Sequence, residues 1–223
     1  MPAHDEVELL ADTLRAIRVA RRALPPEMTS TLVVVADACA DDTAQVARSL
    51  LHRPTDQVVE IGARCVGEAR RVGTEAALSR SPHPLSQVWI ASTDADTVVP
   101  PTWLCAQLDQ ARRGAAALAG TVALRAGADG LDEAFRRRYL VERDGSHQHV
   151  HGANLGLRAD LYVTVGGWRP LDTGEDHDLW RRVADVVPPI STTANPVLTS
   201  ARRSGRAPHG FADGIDELSR SVA

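Results

Sequence analysis

Three short apolar runs, "TLVVVA" at residues 31 to 36, "QVVEIGA" at 57 to 63 and "QVWIAS" at 87 to 92, are each followed by a stretch of helical period. Runs of this length, apolar without alternation, mark strands covered on both faces. The segments between them read as helices: "DDTAQVARSLL" with an acidic first turn, "GEARRVGTEAALSR" with Gly73 inside it, and "PTWLCAQLDQARRG", entered through proline and left through glycine. Ahead of them, Val7, Leu10, Leu14 and Ile17 recur at helical spacing until Pro25 and Pro26 end the period. Such alternation predicts one α/β domain with a mainly parallel sheet and helices on both faces. Beyond Gly114, "AAALAGTVALRA" reads as a strand, residues 129 to 143 as a charged helix and 175 to 186 as a short helix. From residue 195 the chain is rich in Pro, Gly, Ser and Arg without apolar period, which suggests a tail or lid. The opening "MPAHDE" has no apolar run where such a domain normally places its first strand. Either that strand is missing or the native start lies upstream.

Composition narrows the function classes. A net charge of -4 over 223 residues gives no electrostatic reason for nucleic acid or an anionic membrane. All 25 basic residues are arginines, so chemistry that needs a lysine amine is excluded. The cysteines, Cys39, Cys65 and Cys105, lack metal-motif or disulfide-scaffold spacing. With no membrane-length apolar segment and no signal-peptide pattern, the expectation is a cytoplasmic protein, compatible with peripheral membrane association.

In open parallel sheets, ligands bind beyond the carboxyl ends of the strands. The residues there are Asp37 after the first run, Arg64 after the second, and Asp94 and Asp96 in "STDADTVVPPTWL" after the third. Asp41 and Asp42 are most simply helix-start residues, whereas Asp37 is less easily explained so. Two carboxylates one residue apart repel unless a cation lies between them, and magnesium or manganese takes one or two carboxylates together with substrate phosphates. The plainer reading of Asp94 and Asp96 is turn chemistry before a proline. Similarly, Glu175 and Asp176 suit the first turn of a helix, and Arg70 a solvated helix face. His147, His149 and His151 alternate as if on one strand face, a pattern that zinc sites share with exposed loops.

Six ordered blocks, "PAHDE", "VVVADACADDTAQVA", "GARCVGEARRVGTEAA", "STDADTVVPPTWL", "HGANLGLRADLYVTVGGW" and "GEDHDLWRRV", resemble the family 2 glycosyltransferases of the GT-A fold over nearly residues 2 to 185. The resemblance implies a GT-A, Rossmann-like domain over residues 1 to 194, with a nucleotide-binding half to about 114 and an acceptor half beyond it, followed by the tail at 195 to 223. It implies an inverting transferase that moves a sugar from a nucleotide-diphosphate sugar to an acceptor hydroxyl with a divalent Mn or Mg ion. Pro2, Ala3, His4, Glu6 and Asp37 would border the nucleotide base, and Arg64, Gly67 and Arg70 would line its pocket. Asp94 would lie near the ribose and share the metal with Asp96; Asp176 would be the catalytic base. His151, Gly152, Asn154 and Glu175 would face the acceptor, with Trp168 either there or in the core, and His209 a possible further metal ligand. Two departures stand out: Cys65 replaces a common asparagine, and the base-binding loop sits at a terminus.

Two other readings compete. "DADTV" also satisfies the motif of haloacid-dehalogenase-like phosphatases, with Asp94 as nucleophile, but their motif normally lies near the N-terminus and they use a lysine that this chain lacks. A non-catalytic nucleotide-sugar-binding protein is the other.

Overall fold

The computed structural model describes residues 1–125 and 149–202. Strand β2 (Val33–Asp37) is buried along its whole length and shows why its run has no polar alternation. Val34 packs with Leu10 and Leu14 of helix α1 (Leu10–Arg22) and Ala47 of α2 (Thr43–Leu50), while Val33 and Val35 point the other way onto Ala69 of α3 (Val66–Leu78). Successive strand residues face opposite sides, so a strand covered by helices on both sides must be apolar at every position.

β2 pairs in parallel with β3 (Gln57–Ile61) on one side and with β1 (Pro2–Ala3) on the other, in register Pro2 to Val35 and Ala3 to Ala36. The expected gap in the sheet is therefore filled by a two-residue strand. It escaped an apolar-run criterion because two residues cannot make a run. Arg21, buried near the end of α1, donates at 2.8 Å to both carboxylate oxygens of Asp56 and also bonds Ser30. That pair fixes the helix against the turns entering β2 and β3.

The second sheet has the order β4-β6-β5-β7. Its strands are β4 (Trp89–Ser92), β5 (Ala117–Leu124), β6 (Leu155–Arg158) and β7 (Ile190–Thr199). β6 runs antiparallel to β4 and β5, whereas β7 is parallel to β5. Helix α4 (Trp103–Arg112) packs on β5 and β7, α5 (Ala159–Thr164) follows β6, and α6 (Glu175–Ala184) buries Leu179 and Val183 with Trp168 in a shared cluster. The helices expected between the early strands, and that near 175, are thus present. The expected charged helix at 129 to 143 lies outside the described residues.

β7 runs through residue 195, where the sequence suggested a tail to begin. It is an edge strand with a shift in pairing between Gly120 and Val122, Asn195 at φ 60, and Pro196 next to it. A polar, bulged, proline-bearing edge strand carries little apolar signal. Among the described residues no helix is long and apolar enough to cross a membrane.

Candidate active site

At the carboxyl end of β2, backbone groups hold the polar residues. The amides of Arg64 and Cys65 donate to the two oxygens of Asp37 at 2.7 and 2.8 Å. To let both amides face one carboxylate, Arg64 takes a left-handed backbone (φ 51), and its side chain remains exposed. The N-terminal loop docks beside them: His4 Nδ1 lies 2.6 Å from the Asp37 carbonyl oxygen, and the Glu6 amide donates to the Thr43 hydroxyl at 2.7 Å. Asp41 accepts from the Thr43 amide at 2.9 Å, so the helix-start reading holds for it, while Asp42 makes no capping bond.

Toward β4 and α6, arginines hold the site together. Arg70, buried on α3, donates to Glu175 at 2.8 Å, Ser92 at 2.8 Å, the Gly152 carbonyl at 3.2 Å and Asp94 at 2.6 Å, and its guanidinium lies 5.4 Å from the Trp168 ring centre. Burial alone would lower its pKa, but the charges of Asp94 and Glu175 outweigh this and raise it. Glu175 is pushed up by burial, with Arg70 opposing. A side chain at residue 152 would strike the Arg70 guanidinium, its Cβ 2.2 Å from a terminal nitrogen, which is why glycine stands there.

The Gly152 amide in turn donates at 2.8 Å to Asp176, whose other oxygen accepts from the His177 amide at 2.8 Å. One arginine and one glycine thereby join the Asp94 loop to the first turn of α6.

A second arginine closes the cluster from an unexpected direction. Arg202, just beyond β7, donates to the Glu6 carboxylate at 2.9 and 2.5 Å and reaches Asp96 at 2.9 Å. Asp96 is buried, and burial first, then the charges of Asp94 and Glu6, raise its pKa to about 6 in spite of Arg202. This is a pocket of carboxylates short of positive charge. Sequence reasoning missed Arg202, which lies where composition suggested a tail; the extra basic charge required by Glu6 and Asp96 together was the available signal.

The profile described as Glycosyl transferase family 2 matches residues 1–165. The chain belongs to that family. Among solved structures it is similar to S. aureus TarS 1-349 in complex with UDP-GlcNAc, at 13% identity and TM-score 0.67 over 99% of this chain and 63% of that one. It is also similar to the mannosyltransferase PcManGT from Pyrobaculum calidifontis in complex with GDP-Man and Mn2+, at 20% identity and TM-score 0.63 over 89% of this chain and 54% of that one. A mycobacterial protein matches at 16% identity and TM-score 0.53, over 89% of this chain and 63% of the other. Likeness at these identities is one of fold, the GT-A fold, and this chain spans only 54% to 63% of the length of these structures. No curated protein sequence matches it.

Within the glycosyl transferase family 2 frame, several expected contacts turn out to serve the architecture. The close approach at Gly67 is made by the chain itself: a Cβ there would lie 2.1 Å from the Arg169 carbonyl oxygen, and the Gly67 amide donates to Leu171 at 3.0 Å. Asn154, expected beside the acceptor, turns its amide inward, accepting from Trp103 at 2.9 Å and donating to the Thr121 and Asn195 carbonyls at 2.9 and 3.3 Å. That orientation has a physical cause, since the irregular β5–β7 pairing leaves carbonyls that a buried amide can satisfy. Trp168 is core, 2% exposed. Glu175 is committed to Arg70 rather than open to an acceptor. His151 and His149 stack with ring centres 6.2 Å apart, while His147 and His209 lie outside the described residues. Asp94 is paired with Arg70, which gives no support to its use as a phosphatase nucleophile.

Proposed function

We propose that the chain transfers a sugar, with inversion, from a nucleotide-diphosphate sugar to an acceptor hydroxyl. The observation that carries this reading is the Arg70 bridge, which links Asp94 on the metal-and-phosphate side to Gly152, the partner of Asp176 on the acceptor side. A direct displacement needs those two groups on one cleft. Family membership and a neighbour bound to a nucleotide sugar support the donor class.

A divalent cation fits the residues present. Asp94 and Asp96 offer oxygen donors, the type that magnesium and manganese take, and burial first, then the charge of Asp94, makes the ionised form of Asp96 costly without a nearby cation. When bound, such a cation supplies charge stabilisation for the departing diphosphate. Arg202 neutralises Asp96 without it, so the cation has to compete with Arg202. Pro2, Ala3, His4, Glu6, Asp37 and Arg64 frame the nucleotide side. Asp176 takes the acceptor hydroxyl's proton; the Gly152 and His177 amides fix its orientation.

The test compares wild type with Asp96→Ala and Asp176→Asn across a panel of nucleotide sugars with manganese. Asp176→Asn is expected to lose about 10²- to 10⁴-fold in turnover with donor affinity intact. Asp96→Ala is expected to lose metal-dependent donor binding, read as disappearance of the ligand-induced rise in melting temperature. Full activity in both variants rejects the assignment.

A further inference from the structure

The loop that docks on the end of β2 carries a second constellation, unrelated to the acid pair at Asp94 and Asp96. We infer that His4, Asp5 and Cys39 form a binding site for a borderline-soft divalent cation of the zinc class. One ligand atom from each lies within 4.8 Å of the other two, and His4 Nε2 stands 3.7 Å from Asp5 Oδ2. Tetrahedral zinc with ligand bonds of about 2.0 to 2.3 Å sets neighbouring donor atoms roughly 3.3 to 3.7 Å apart. The His4–Asp5 pair is already at this spacing, and the Cys39 thiol lies within 4.8 Å of a donor atom of each.

Three local features orient the donors. A carbonyl oxygen can only accept, so the 2.6 Å contact of His4 Nδ1 with the Asp37 carbonyl places the proton on Nδ1 and makes Nε2 the lone-pair nitrogen. Metal-binding histidines are commonly oriented by this kind of bond. Asp5 Oδ1 accepts from the Ala40 amide at 2.6 Å and the Asp41 amide at 3.3 Å, which fixes the carboxylate with Oδ2 toward His4. Neighbours in an extended chain point to opposite sides, but Asp5 has φ 50, a left-handed conformation that aspartate adopts more readily than most residues. That backbone turn puts its side chain beside that of its neighbour.

Cys39 supplies the soft ligand. Its Sγ sits 3.4 Å from the Asp5 amide and 3.4 Å from the Ala3 carbonyl oxygen. Burial, then the nearby Asp41 and Asp5 charges, raise the thiol pKa, so a cation that binds here has to displace the thiol proton. A sulfur–nitrogen–oxygen set selects zinc over magnesium or manganese, which prefer all-oxygen ligands. All three residues are half-buried, so an ion has access and a fourth position stays open to water. A cation here would pin the N-terminal loop to the turn after β2.

The site does not depend on the transfer reaction, and neither does its test. The reduced, tag-free chain is titrated with Cd2+, following the cadmium–thiolate charge-transfer absorption, and with Zn2+ against a chromophoric chelator. Circular dichroism checks each variant for folding. One thiolate-bound equivalent is expected in wild type, Cys65→Ser and Cys105→Ser alike. Cys39→Ser is expected to lose the absorption, and His4→Ala and Asp5→Ala to bind at least tenfold more weakly. Absence of the band in wild type, its persistence in Cys39→Ser, or undiminished affinity in both His4→Ala and Asp5→Ala overturns the inference.

Discussion

The two sides of the candidate site are assembled by different forces. Beside β2 and β3, the carboxylate of Asp37 is held by backbone amides, which the fold itself puts in place. Beside β4 and α6, the carboxylates of Asp94, Glu175, Asp96 and Glu6 are held by two arginines drawn from elsewhere in the chain. The first arrangement is a preformed rim whose geometry follows from strand register. The second is a balance of charges that protons, salt or an incoming cation can shift. The proposed transfer would use both, a fixed seat for one part of a donor and an exchangeable environment for the charge that moves.

The comparison breaks most sharply at Arg70. Arg70→Ala leaves Glu175 buried without its partner and should lower stability by about 3–5 kcal/mol in urea denaturation. Arg70→Lys, which keeps the charge but cannot fan out to Ser92, Gly152 and two carboxylates, should recover only part. A loss below about 1 kcal/mol would show that the charged side of the cleft is not what holds α6 in place.

The next effect is on pH dependence. The Asp96 pKa is raised in the folded protein from 3.8 to about 6, so its contribution to stability is fully present below pH 4 and is lost as pH rises through 6. Glu175, also raised, acts in the same direction. The metal-free protein should therefore lose up to about 3 kcal/mol from Asp96 between pH 4 and 6, a two-unit shift at 1.36 kcal/mol per unit. Asp96→Asn should flatten most of that slope in denaturation curves taken at each pH. A wild-type slope that persists unchanged in Asp96→Asn would place the responsible group elsewhere.

On the backbone-built side, Asp37→Asn turns an amide donor toward a backbone N–H and should cost about 1–3 kcal/mol. Its penalty should not vary with salt in the way that those of the arginine variants do. Equal salt dependence on both sides would erase the distinction.

Much of this architecture could be read from residue patterns. The covered strand at Val33–Asp37, the half-buried edge strand at Gln57–Ile61 and the helices between them follow from the apolar pattern, since each element turns apolar residues toward the core. The family blocks pointed to Asp37, Arg70, Asp94, Asp96, Glu175 and Asp176, and the structure links the last five through Arg70, Gly152 and the Asp94–Asp96 loop. What stayed hidden is what depends on partners far along the chain. Asn154 reads as a polar residue near a site, and only the bulged pairing of β5 with β7 reveals why its amide faces inward. Gly67 reads as an opening for ligand until the Arg169–Leu171 backbone is seen to fill it. Arg202 sits in a compositionally bland stretch; nothing local announces that it meets Glu6.

That last contact joins residues 196 positions apart. Closing so long a loop carries an entropic penalty, and contacts of such separation form slowly during folding. The clasp between Arg202 and Glu6 should therefore form among the last contacts as the chain organises. After dilution from denaturant, burial of Trp168, whose cluster does not include the last strand, should precede closure of Arg202 onto Glu6 and Asp96, and the interval between them times the arrival of the C-terminal strand.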